Sequence, residues 1–173
     1  WYTIPVEKKQ NTIKELLTDA VKLRLHADVP VGCFLSGGLD SSIISAIAKK
    51  HHDNIHTFSI GFADEPFFDE TEYAELVAKH INSNHHTFKL KNTDLLENIH
   101  PFLKSIDEPF ADSSAFNVYV LSKYTKQHVK VALSGDGADE LFMGYNKHKA
   151  ELLSRTFSSK ALSPLVNPML SVL

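Results

Sequence analysis

The segment VPVGCFLSGGLDSSIISAIAKK, residues 29–50, contains the pattern that decides the fold. It begins with a short apolar run at residues 31–35, continues through a polar turn with two glycines at 36–42, and then places apolar residues at helical spacing. A short apolar run after a proline is typical of a strand that is buried on both faces. The segment therefore predicts a buried strand, a tight turn and a helix that follows at once.

Strands and helices alternate along the rest of the chain. An amphipathic helix is predicted at residues 11–27. Further strands are predicted at residues 55–60, 86–90 and 129–133, and helices at residues 69–80, 95–103 and 114–127. Because the connections are short, the expected fold class is α/β, a parallel sheet with helices on both faces. Pro101 predicts a kink or a break in the helix at 95–103.

The composition excludes several classes of protein. The 173 residues suffice for one domain with a core, and the net charge of −3 lacks the basic character of a nucleic-acid-binding protein. The single cysteine, Cys33, excludes an internal disulfide and a paired-cysteine metal site, and its apolar neighbours predict a buried side chain. No apolar stretch approaches the length of a membrane span. We therefore expect a cytoplasmic protein with no membrane or nucleic-acid partner.

The turn after the first strand has the chemistry of an anion site. In open parallel sheets, ligands bind outside the carboxyl ends of the strands, where free backbone N–H groups and a helix N-terminus favour phosphate. Gly37 and Gly38 leave room for an anion close to the backbone. Ser36, Ser41 and Ser42 add hydroxyl donors, and Ser41 or Ser42 is a candidate cap for the following helix. A plain glycine turn with a serine cap is the alternative.

Asp40 distinguishes this turn from other phosphate loops. The sequence has neither the lysine of a GxxxxGK[ST] loop nor a GxGxxG pattern. A carboxylate beside phosphates would repel them unless a cation lay between, so Asp40 predicts bound Mg²⁺. The stretch Ser36-Gly-Gly-Leu-Asp-Ser-Ser42 resembles the SGG-x-DS-S pyrophosphate loop of the N-type ATP pyrophosphatases, which cleave ATP between its α- and β-phosphates.

A second polar turn, SGDGADELFMGY at residues 134–145, follows the fourth predicted strand. If both strands flank the point where the strand order reverses, the two turns face each other across one site. Asp40 and Asp139 would then hold Mg²⁺ jointly, while Gly135 and Gly137 keep the backbone near a nucleotide. The alternative is a second acidic turn without function.

The second turn resembles the SG[ED]G-x-DE-L-F-x-G-Y signature of the asparagine synthetase family. Similar residues of that family match EPFADSSA at 108–115, FSIGF at 58–62, FDE at 68–70 and HH at 85–86. The resemblance implies an adenine nucleotide alpha hydrolase-like (Rossmann-like) PP-loop fold. It further implies that residues 1–173 are a single partial domain of this type, without the glutaminase domain that precedes it in the family and without its C-terminal helical part.

The resemblance also implies the site residues. Leu35 and Ile60 would contact the adenine end of ATP, and Asp136 would be catalytic in forming an acyl-adenylate. The remaining expected ATP contacts are Ser36, Gly37, Gly38, Asp40, Ser41, Ser42, Ser134 and Gly135. Asp40 and Asp139 match the metal-binding aspartates, so ATP and Mg²⁺ are the expected cofactors.

The family reaction activates a carboxylate with ATP, releases AMP and pyrophosphate, and amidates the carboxylate with ammonia from a glutaminase domain. Aspartate is the simplest acceptor, which would make the protein a ligase of asparagine biosynthesis, and a homodimer is possible.

Two alternatives remain open. Asp136 stands where well-known asparagine synthetases have glutamate, and Met143 where glycine is frequent, which leaves room for amidation or β-lactam-type ring closure of another carboxylate. The other alternative is an ATP-binding module without turnover. The number of carboxylates near the turns, Asp40, Asp136, Asp139 and Glu140, argues against it.

The remaining polar clusters carry weaker expectations. The adjacent pairs His51-His52 and His85-His86 cannot chelate from one helix face, so a surface or loop role is expected for them, although a role of His85 in the fold stays open. Glu108 and Asp112 are either a wall of the site or part of a solvated loop.

Overall fold

The computed structural model describes residues 5–109, 111–112 and 114–157. Phe110 and Ser113, two members of the EPFADSSA motif, lie outside the described residues, as does the C-terminal part of the expected single domain. Helices α1 to α7 span Val6–Leu25, Leu39–His51, Thr71–Ile81, Asn92–Ser105, Ser114–Thr125, Ala138–Phe142 and Asn146–Phe157. Strands β1 to β4 span Val31–Phe34, His56–Phe62, Asn84–Leu90 and Val131–Leu133, and Pro66–Phe68 form a short 3-10 helix.

The four described strands form one parallel sheet in the order β3-β2-β1-β4. The chain moves outward from β1 through β2 to β3 and then returns to the other side of β1 with β4. The strand order therefore reverses between β1 and β4, and the predicted switch point lies between the two strands that precede the two polar turns.

Helices cover both faces of the sheet, as the sequence predicts. Cys33 packs with Val21 of α1 and Ala48 of α2, whereas its neighbour Phe34 packs on the cluster that contains Leu121 of α5. Successive side chains of a strand point to opposite faces, so α1 and α2 lie on one face and α5 on the other. The α/β class and the parallel sheet with helices on both faces are confirmed.

Two local expectations are corrected by the structure, the break at Pro101 and the serine cap of α2. Helix α4 continues through Pro101 to Ser105 without a break. Proline has no N–H to donate, so the Glu97 carbonyl, four residues earlier, loses its hydrogen bond within the helix. Because Glu97 is exposed, water can bind this carbonyl instead. The second error concerns α2, whose cap residue is Gly38, without a capping side chain; neither Ser41 nor Ser42 caps it.

The chain divides into two compact units, residues 1–135 and 136–173. The first contains the whole sheet and α1 to α5. The described part of the second contains α6, which lies within the predicted second turn, and α7. No helix in the described residues is long and apolar enough to cross a membrane.

Candidate active site

The turn after β1 is held in its shape by α3. Gly37 has a φ of +83°, in the left-handed region that favours glycine. A Cβ at this position would lie 2.5 Å from Cβ of Tyr73 and 2.6 Å from the backbone nitrogen of Ala74. The turn therefore lies directly on the first turns of α3, with no room for a side chain between them.

The serines form a hydrogen-bond network within the turn. Ser41 Oγ accepts from the backbone N–H of Ser36 at 3.2 Å, lies 2.9 Å from Ser36 Oγ, and donates to the Gly38 carbonyl at 3.2 Å. Ser42 Oγ donates to the same carbonyl at 2.6 Å. Ser41 is only 8% exposed. Its hydroxyl thus shapes the turn from within, and the exposed Ser36 and the partly exposed Ser42 are better placed to meet a ligand.

The first turn of α2 presents the features of an anion site. No side chain caps this helix, and the N–H groups of its first turn have no acceptor within the helix. These groups and the positive end of the helix dipole attract phosphate. Asp40 is partly exposed in the same turn, so an anion bound here would also meet its carboxylate.

The turn after β4 meets the helix that follows β1. A Cβ on Gly135 would lie 2.8 Å from the backbone nitrogen of Ser41 and 3.0 Å from Cβ of Asp40. The pairing of Cys33 with Leu133 sets this approach, because it brings the carboxyl ends of the two strands to the same level. Ser134 and Gly135 therefore lie at one edge of the sheet with the predicted phosphate turn.

Leu35 and Ile60 occupy neighbouring strand ends. The backbone N–H of Leu35 donates to the Phe58 carbonyl at 2.8 Å, and Ile60 lies two residues further along β2. The side chain of Leu35 is 1% exposed and packs on Ala74 and Ala78 of α3. A contact from Leu35 to a nucleotide must therefore use its backbone.

The second unit carries Asp136 and Asp139. Gly137 has a φ of +89° and begins α6, and Asp139 lies in the first turn of that helix. A Cβ on Gly144 would overlap Oδ1 of Asp139, so this glycine makes the space that the carboxylate occupies. Tyr145 donates its hydroxyl hydrogen to Glu140 at 2.6 Å, and this bond lowers the pKa of Glu140.

Carboxylates beside the two glycine turns are the residues predicted to hold a metal ion. Among the described residues, no group of three or more His, Cys, Asp or Glu side chains is arranged to hold a metal ion unaided. Mg²⁺ commonly takes one or two protein carboxylates and completes its octahedral shell with phosphate oxygens and water. Asp40 in the first unit and Asp139 in the second are each partly exposed beside a glycine turn.

Sequence reasoning missed the contribution of α3. Tyr73 and Ala74 support Gly37, and Asp69 accepts hydrogen bonds from the N–H and the hydroxyl of Thr71 at the start of this helix. The available signal was the D-x-T sequence before the apolar helical pattern, because Asp and Thr are common at helix starts.

The histidine expectation is confirmed for one pair only. His51 and His52 are exposed. His85 and His86 belong to β3: His85 lies 2.9 Å from Thr57 Oγ1, and His86 Nε2 lies 2.9 Å from His56 Nδ1. The expected surface or loop role is therefore wrong for His86, whereas the contact of His85 with the neighbouring strand agrees with the role in the fold that was left open for it. Neighbouring strand residues alternate between two packed faces.

In the EPFADSSA region, Asp112 has a role in local structure. Its carboxylate accepts hydrogen bonds from the N–H and the hydroxyl of Ser114, which lower its pKa and fix the start of α5. Glu108 is exposed.

Comparison with known proteins identifies relatives over most of the chain. The family described as Asparagine synthase matches residues 12–171. Putative asparagine synthetase [glutamine-hydrolyzing] 2 of Methanocaldococcus jannaschii is 45% identical over 83% of this chain and 28% of its own length. Asparagine synthetase [glutamine-hydrolyzing] 1 of Bacillus subtilis is 36% identical over 87% of this chain and 24% of its own length. The chain thus spans about a quarter of the length of these relatives.

Solved structures show the same fold. An NH3-dependent NAD synthetase from Campylobacter jejuni superposes with a TM-score of 0.51 and 16% identity, covering 79% of this chain and 60% of that chain. An NMN synthetase from Francisella tularensis gives a TM-score of 0.51 and 17% identity over 78% of this chain and 58% of that chain.

Proposed function

The chain belongs to the asparagine synthase family, and we propose that it binds ATP at the carboxyl ends of β1 and β4 and supports ATP-dependent amidation of a carboxylate, aspartate to asparagine. The observation that carries this proposal is the contact of Gly135 with Asp40 and Ser41. It joins two family motifs, separated by about 90 residues of sequence, at the strand-order switch point, where α/β sheets bind ligands.

Each part of the site has a role in this reaction. The first turn of α2 and the backbone around Gly37 and Gly38 bind the pyrophosphate portion of ATP. The backbone of Leu35, with Ile60, lines the adenine end, and Ser134 and Gly135 contact the nucleotide from the other strand. Ser36 and Ser42 offer hydroxyls, and Ser41 keeps the turn in shape.

The chemistry requires charge neutralisation on the leaving pyrophosphate. We propose that Asp40 and Asp139 hold Mg²⁺, which neutralises phosphate charge when it is bound. The substrate carboxylate attacks the α-phosphate, pyrophosphate leaves, and ammonia then displaces AMP to form the amide. Asp136 is the proposed catalytic residue of the adenylation step. The ammonia would come from a glutaminase domain, as the glutamine-hydrolyzing names of the relatives suggest.

Calorimetric titration with ATP tests the site. Asp40→Ala is expected to weaken binding at least about tenfold in Mg²⁺, because the metal loses a ligand. In EDTA the same change is expected to leave binding equal or tighter, since a carboxylate that repels phosphate has been removed. A loss of affinity in Mg²⁺ that is absent in EDTA separates a metal ligand from a residue that merely supports the fold.

The matched control is Asp53→Ala, which removes an exposed carboxylate just beyond the far end of the same helix. It is expected to bind as the unsubstituted chain does in both solutions. Binding that ignores both Mg²⁺ and Asp40→Ala would contradict the proposed site.

A further inference from the structure

Asp69 connects the carboxyl ends of two strands to the start of α3. Its Oδ1 accepts hydrogen bonds from Thr71 Oγ1 at 2.6 Å and from the Thr71 N–H at 3.0 Å. The same oxygen lies on the backbone of β2, where a Cβ at Gly61 would approach it to 2.5 Å. Its other oxygen, Oδ2, lies 3.4 Å from Nζ of Lys89 in β3. The carboxylate thus fixes where α3 begins relative to the sheet.

The first two turns of α3 in turn support the phosphate turn. Tyr73 and Ala74 come two and three residues after Thr71 in the same helix, and their atoms leave no room for a side chain at Gly37. Ala74 also packs against Leu35, the residue before the turn. A displacement of the start of α3 would therefore be transmitted to residues 35–38 by direct contact.

We propose that Asp69 is a positioning residue for ATP: acting through the first turns of α3, it holds the turn after β1 in the conformation that receives phosphate, without touching the nucleotide. This inference rests on the proposed ATP site. It assigns to the FDE segment a part in ligand binding, although the segment lies outside both glycine turns.

The hydrogen bonds carry this role more than the charge does. The pKa of Asp69 is lowered, chiefly by the hydrogen bond from the Thr71 hydroxyl, so the side chain is ionised at neutral pH. Its ionic partner Lys89 is 56% exposed, however, and ion pairs with exposed partners contribute little. Asparagine retains an acceptor at the Oδ1 position and should therefore replace Asp69 in function.

Two variants of Asp69 and one control form the test. In Mg²⁺, Asp69→Ala is expected to weaken ATP binding about tenfold, whereas Asp69→Asn stays within about threefold of the unsubstituted chain. The control is Asp94→Ala, which removes the carboxylate that accepts from the Lys91 N–H in the capping box of α4. It also removes a carboxylate acceptor at the start of a helix, but it is expected to leave ATP affinity unchanged.

Amide NMR shifts give a readout that is independent of the nucleotide. In the absence of ATP, Asp69→Ala is expected to shift the Gly37 and Gly38 amide signals, and Asp69→Asn and Asp94→Ala to leave them in place. Unchanged glycine signals with unchanged affinity in Asp69→Ala would overturn the inference, as would equal losses of affinity in Asp69→Ala and Asp94→Ala.

The two readouts keep the inference separate from the proposed function. If the unsubstituted chain does not bind ATP, the proposed function of this chain fails, and the glycine signals alone decide the role of Asp69. If Asp69→Ala does not fold, Thr71→Val takes its place, because it removes the hydroxyl donor at nearly constant shape. Thr71→Val is then expected to shift the same glycine signals, and unshifted signals would overturn the inference.

Discussion

Replacing Gly37 with alanine tests the packing of the phosphate turn on α3. An alanine at a φ of +83° costs about 1–2 kcal/mol, because its Cβ approaches the carbonyl oxygen in the left-handed region. The new Cβ would also lie 2.5 Å from Cβ of Tyr73, and overpacking of this kind costs about 1–3 kcal/mol. Alanine restricts the unfolded chain and so returns about 0.4–1 kcal/mol. From the middle of each range, we expect a loss of about 3 kcal/mol in the free energy of unfolding.

Gly38 provides the matched control. Its φ of −67° suits any residue, and a Cβ there would meet only Ser36 Oγ, at 3.3 Å. Gly38→Ala is therefore expected to change stability by less than about 0.5 kcal/mol. Urea unfolding followed by far-UV circular dichroism measures both variants. Equal midpoints for Gly37→Ala and Gly38→Ala would refute the packing argument.

Two further predictions concern protonation. Burial, with a smaller effect from the charge of His128, lowers the pKa of both His56 and His86, so acid favours the unfolded chain. The urea midpoint should be level above about pH 7, fall as the pH drops below the ordinary histidine pKa of about 6.5, and fall less in His86→Gln. A midpoint that does not change over this range would contradict the prediction. Burial also raises the pKa of Cys33 to about 11, so its thiol should resist a disulfide reagent in the native protein at about pH 8. In urea the thiol should react as one equivalent. Rapid labelling of the native protein would contradict the burial of Cys33.

The parts of the fold that depend on local pattern could be predicted from the sequence. The apolar run at residues 31–35 and the polar turn after it fix β1 and its direction into α2. The strand at residues 129–133 followed by a second glycine turn implied a site shared by two strand ends, and Gly135, directly after β4, does approach Asp40 and Ser41.

The missed features depend on contacts distant in sequence. Nothing local to Gly37 shows that Tyr73 and Ala74 lie against it, because that approach is set by the packing of α3 on the sheet. The position of His86 beside His56 likewise follows from strand pairing. Pro101 was misjudged for another reason: the cost of a proline in a helix depends on whether the freed carbonyl meets water, and sequence does not report that.

The pairing of β1 with β4 has a consequence for how the molecule acquires its site during folding. Val31 pairs with Val131, about a hundred residues away, whereas β1, β2 and β3 are neighbours in both sequence and space. Contacts between residues so distant in sequence form slowly, because a long loop must close first. We therefore expect β4 to join a sheet that has already formed, and only then does Gly135 reach the first turn of α2. ATP bound between the ends of β1 and β4 would stabilise the four-stranded sheet relative to a sheet that still lacks β4. The proposed substrate would therefore also favour the last step of folding.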